Sequence, residues 1–128
     1  MFKLDIPKNR SFDYSFFMLQ IIGRKDGREY RRAVRFCSER RIAFQEVDTK
    51  TRALSKRELD SIFNSVDNPE SVIDRDSPYY RKNGYAWREY DPREEAEEHP
   101  ELLVNPILRN REKACCGFSE SFILENRE

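Results

Sequence analysis

Few residues in this chain have side chains suited to chemistry, and their spacing limits what that chemistry could be. The thiols are Cys37, Cys115 and Cys116. Cys37 falls on the apolar stripe of an amphipathic segment with Tyr30, Ala33 and Val34, where a small buried hydrophobe is expected. Cys115 and Cys116 are adjacent in an extended stretch, so alternation sends one inward and one outward. The outward one could act as a reactive thiol. Vicinal cysteines do not reach disulfide geometry on an undistorted backbone. The single histidine, His99, precedes Pro100 and has no evident partner in the sequence. With one His and an isolated Cys37, no metal-ligand spacing exists, so no metal is expected. Asp26 and Glu29 are close carboxylates, but their spacing is that of a helix-capping pair.

These residues are carried by elements that can be read in order. Phe16–Ile22 is apolar on both faces, as in a central strand covered by helices on each side. Gly23–Asp26 is a short polar loop. A helix follows from Gly27 to about Arg40, with Asp26 as its expected cap. Residues 42–48 read as a second strand, and strand–helix–strand with short links implies a parallel crossover. Ser55-Lys56-Arg57-Glu58 is a capping box opening a helix over about 56–66. Short helical turns are expected at 71–75 and 77–82, an extended or looped stretch at 85–90, and a helix opening at Asp91-Pro92. Residues 106–109 and 113–117 form a hairpin about Asn110-Arg111-Glu112. Residues 119–124 close the chain as a helix. The order is that of an α/β thioredoxin-like fold with an all-helical insertion before the C-terminal β-hairpin. Residues 1–15 read as an N-terminal extension, 16–128 as a single domain, and about 52–104 as the insert.

Composition narrows the function classes. The chain has 128 residues, 24 Lys and Arg against 24 Asp and Glu, and 38% hydrophobic residues. That is one domain with a modest core. Balanced charge gives no excess of cations to neutralise phosphates, so direct nucleic-acid binding is not expected. No stretch approaches the ~20 apolar residues of a membrane span. No signal peptide is read at the start, and an odd cysteine count lacks a disulfide framework. These point to a cytoplasmic protein.

Several segments, in this order, resemble the thioredoxin-fold arsenate reductase family of bacterial proteins, which also includes Spx-type transcriptional regulators and glutathione-linked relatives. They are Arg31-Arg32-Ala33 through Ile42-Ala43-Phe44, Leu54-Ser55-Lys56-Arg57-Glu58-Leu59, Val72-Ile73-Asp74-Arg75, His99 through Ile107, and Cys116-Gly117-Phe118. The resemblance implies that the family's nucleophilic cysteine falls on Gly27 and the second cysteine of Spx-type members on Tyr30. Of the family's three oxyanion-clamping arginines, one falls on Arg75, one on Asn105 and one on Gly117. The proline of the groove is kept as Pro106, which implies a cis Asn105-Pro106 bond. The resemblance therefore implies a groove of Gly27, Arg28, Tyr30, Arg75, Asn105 and Pro106 without thiol catalysis, used for binding or regulation. An anion at the first turn of the helix, on Gly27 and Arg28, is one ligand of such a groove. No cofactor is expected from the residues, and the resemblance adds only glutathione. The alternatives are an oxidoreductase or arsenate reductase rebuilt on Cys115 or Cys116, and an Spx-like regulator that binds RNA polymerase. The partner is then a protein or a small anion or thiol ligand, and the oligomeric state is left open.

Overall fold

The computed structural model describes residues 18–127. The expected N-terminal extension, and residues 16 and 17 of the expected first strand, lie outside them. Leu19–Gly23 forms β1, and all five residues are buried. α1 (Arg28–Glu39) and β2 (Phe44–Asp48) follow, and β2 pairs parallel with β1, Ile21 opposite Glu46. β3 (Ile107–Asn110) pairs antiparallel with β1, and β4 (Lys113–Cys116) antiparallel with β3. The sheet order is β2-β1-β3-β4.

A helical segment separates β2 from β3. It holds α2 (Lys56–Asn64), α3 (Pro78–Lys82) and α4 (Pro92–Glu98), with 3-10 turns at Pro69–Val72, Tyr85–Trp87 and Pro100–Leu102. The stretch at 85–90, read as extended or looped, begins as one of these turns. Chain chemistry sets most starts. Ser55 and Glu58 complete a reciprocal capping box at α2. Asp91 accepts from the Arg93 and Glu94 amides with Pro92 in the first turn of α4. α5 (Glu120–Asn126) closes the chain, capped by Ser119.

The doubly apolar β1 separates two cores. On one face Leu19 and Ile21 meet Tyr30, Ala33, Phe36 and Cys37 of α1 and Ile123 of α5. On the other, Ile22 and Ile107 meet Ile62 of α2 and Val72, Tyr80, Tyr85 and Leu102 of the helical segment. Burial on both faces explains why β1 shows no polar alternation.

One helix start differs from expectation. Asp26 does not cap α1. The cap residue is Gly27, in extended backbone and without a side-chain cap bond. The Asp26 carboxylate instead lies 3.3 Å from the Lys50 ammonium, which holds its pKa below the ordinary value. Glu29 turns to Arg32 at 3.6 Å rather than back to the cap.

Candidate functional site

The C-terminal end of β1 delivers the chain into the loop Arg24–Asp26, and Gly27 then opens α1. The loop is closed on itself by the Gly27 amide, which donates to the Arg24 carbonyl at 3.1 Å. Facing it is the segment before β3, where Asn105-Pro106 is a cis peptide bond as expected. Pro106 is buried, and its carbonyl accepts from the Gly117 amide at 2.7 Å.

Asn105 decides what this site is. Its Nδ2 donates to the Arg24 carbonyl at 2.9 Å, and its Oδ1 accepts from the Arg24 amide at 3.1 Å. The carboxamide thus pairs with the loop backbone as a neighbouring strand would. It also lies against two glycines. A Cβ on Gly27 would stand 2.2 Å from Asn105 Nδ2, and one on Gly23 would stand 1.9 Å from Asn105 Oδ1. Both separations are far inside contact distance, so a side chain at either place would have to displace the carboxamide. The space beside Gly27 is filled.

Tyr30 lies one turn into α1, 1% exposed, in the core between helix and sheet. Its hydroxyl donates to Glu46 of β2 at 3.0 Å. Burial, and then the Glu46 carboxylate, push the phenol well above its ordinary pKa. It is a packed donor, as the helical stripe predicted. Arg28 is exposed at the start of α1. Arg75 is also exposed and reaches Glu70 at 3.9 Å, close to the Tyr90 hydroxyl that Glu70 accepts at 2.7 Å. The antiparallel bridge of Ile73 with Leu103 runs residues 73–75 and 103–105 in opposite directions from the point of contact. Gly27, Tyr30, Asn105 and Pro106 are thus gathered about the loop, while Arg75 lies exposed beside Glu70 of the helical segment.

The three thiols are free and all at least partly buried. The two cysteines of β4 alternate between opposite faces as expected, but neither points freely outward: both are partly buried. Cys115 packs against the α1 and α5 core and Cys116 against the α2 core. Burial raises both, Cys116 to about 11. Cys37 is buried and likewise raised to about 11. A thiolate is the attacking species in exchange chemistry, and these sites disfavour it. His99 finds an unforeseen partner, stacking on Tyr79 at 4.7 Å between ring centroids. Among the described residues no group of three His, Cys, Asp or Glu side chains is placed to share a metal ion, and no helix is long and apolar enough to cross a membrane.

A buried polar network was not anticipated. Arg109 donates to Gln20 Oε1 at 2.7 Å, and Gln20 Nε2 donates to Glu58 Oε2 at 2.9 Å. Arg52 grips the same carboxylate at 2.9 and 2.7 Å. Burial alone would raise Glu58, but the Arg52 bonds, the Ser55 amide and Gln20 outweigh it and bring the carboxyl down to about 2. The available signal was Gln20, a lone amide inside an apolar strand, since a buried amide requires partners.

This arrangement defines an α/β, thioredoxin-like domain with the fold of the arsenate reductases. An arsenate reductase from Vibrio cholerae superposes with a TM-score of 0.71 at 16% identity, over 86% of this chain and 98% of that one. An arsenate reductase (ArsC) related protein from Brucella melitensis gives 0.62 at 20% identity, over 84% and 93%. A protein named YFFB gives 0.72 at 16% identity, over 87% and 100%. No protein-family model matches the chain. No curated protein matches it either.

Proposed function

We propose that the chain is a cytoplasmic member of the arsenate reductase family that has given up thiol chemistry and works by binding. The observation that carries this reading is the Asn105 carboxamide beside Gly27, in the space that a side chain at position 27 would need. Reduction of arsenate or of a disulfide through this loop requires a thiolate at the helix start. Gly27 supplies no side chain, and the phenol of Tyr30 cannot form and break a bond to sulfur. Asn105 carries no charge to clamp an oxyanion, and Arg75 lies in the helical segment, exposed beside Glu70. The raised thiols of Cys115 and Cys116 argue against a rebuilt nucleophile on β4.

The test is arsenate-dependent oxidation of glutathione, with glutaredoxin present, by the native chain and by its Cys115→Ser/Cys116→Ser variant. The expected result is no turnover above buffer for either. Turnover by the native chain that the double variant lacks would overturn the reading.

A further inference from the structure

A separate cavity, of about 360 Å³, runs along the flank of α1 and includes neither Gly27 nor Asn105 in its lining. Its exposed wall is mostly apolar, with Val34 partly exposed in it and Tyr30 buried beneath. Its charged lining is Lys25, Arg31 and Arg35 against a single carboxylate, Glu46. That carboxylate already accepts the Tyr30 hydroxyl at 3.0 Å. None of the three cations has an ion-pair partner among the described residues. Arg31, Val34, Arg35 and Ser38 follow at helical spacing and so share one face. Arg31 and Arg35 are like charges four residues apart, an arrangement that destabilises a helix unless an anion offsets it. Ser38 also lines the cavity.

We propose that this cavity binds a small amphipathic organic anion, with an apolar ring or short chain against Val34 and the aliphatic stems of Arg31 and Arg35 and an acidic head at their guanidinium groups. The volume lies at the lower end of small-molecule pockets, which run from about 300 to 1,000 Å³, and so fits an acid of up to about three rings. The apolar wall selects against inorganic phosphate, which has nothing to place there. The cation excess selects against neutral and basic ligands. The inference is independent of the reading of the Gly27 loop.

The probe is 8-anilinonaphthalene-1-sulfonate, followed by its fluorescence and by backbone amide shifts of the full chain, with uncharged N-phenyl-1-naphthylamine as comparison. Saturable binding of one equivalent is expected, with shifts concentrated at residues 25–38 and 46. Arg31→Ala/Arg35→Ala, on exposed positions that leave the core intact, should weaken it about tenfold, the sum of two partly solvated charge contacts. Val34→Glu should abolish it. The uncharged probe should bind more weakly than the sulfonate. Shifts that cluster elsewhere, equal affinity for the uncharged probe, or an Arg31→Ala/Arg35→Ala variant that binds like the native chain would each overturn the proposal. None of those outcomes bears on arsenate turnover, so failure here and failure of the thiol reading are separable.

Discussion

The carboxamide of Asn105 and the backbone of Arg24 are joined by two hydrogen bonds, Nδ2 to the carbonyl at 2.9 Å and the amide to Oδ1 at 3.1 Å. This pairing crosses 81 residues of sequence and ties the segment before β3 to the loop before α1. It fills the space at the helix start. Replacing Asn105 by Ala removes both bonds and should cost about 1–3 kcal/mol, read from chemical denaturation.

Restoring a thiol at position 27 tests what the filled space does. In Gly27→Cys the new Cβ must push aside the Nδ2 that would lie 2.2 Å away. The variant should be destabilised and should not gain arsenate turnover. In Gly27→Cys/Asn105→Ala the obstruction is gone, so the cysteine should cost less stability, relative to Asn105→Ala, than it does in the native background, and its thiol should label faster with iodoacetamide. Equal labelling and an equal cost of the cysteine in the two backgrounds would show that Asn105 does not occupy the space.

The order of the elements, both apolar faces of β1 and the capping box at Ser55 were legible because each depends on residues close in sequence, whereas the cis bond at Pro106 was implied only by the resemblance. Ser55 and Glu58 are three apart, and the sequence contains the whole interaction. Asn105 was legible only as a position where an arginine is missing. Its two bonds to Arg24 depend on how the β3 end docks on the loop, which no local pattern encodes. Asp26 shows the opposite failure: a sound capping pattern yielded to Lys50, 24 residues away, which the fold brings within 3.3 Å. Arg75 likewise lies beside Glu70 of the helical segment.

Glu58 shows both kinds of information in one side chain. Its bond to the Ser55 amide at 2.8 Å is local, and its bonds to Gln20 and Arg52 are not. Its folded pKa of about 2 lies below the ordinary 4.5. A depressed carboxylate stabilises the fold above the unfolded pKa and loses that contribution as pH falls through the folded one. Between pH ~4.5 and ~2, the stability from this group should therefore fall by about 3 kcal/mol, since a tenfold change in proton affinity is worth about 1.36 kcal/mol. Glu58→Gln should be less stable at pH 7 and flatter across that window. An unchanged acid transition in Glu58→Gln would show that the network does not hold the charge.

The β4 thiols should behave as packed side chains. Burial raises Cys115, and burial with its neighbour's charge raises Cys116 to about 11. Native protein should react slowly with iodoacetamide at pH 7, and much faster after unfolding in denaturant. Rapid native labelling of either thiol at pH 7 would reopen redox chemistry on β4.

The most direct measurement is a double-mutant cycle on Gly27 and Asn105. Gly27 has φ −72° and ψ 142°, a conformation any residue adopts, so Gly27→Ala should by itself stabilise by about 0.4–1 kcal/mol through the unfolded chain. Against Asn105 it should instead cost about 1–3 kcal/mol, the range for overpacking. The predicted result is a destabilising Gly27→Ala in the native background that becomes neutral or stabilising in Asn105→Ala, measured by urea denaturation. The same effect of Gly27→Ala in both backgrounds would contradict the occupied site.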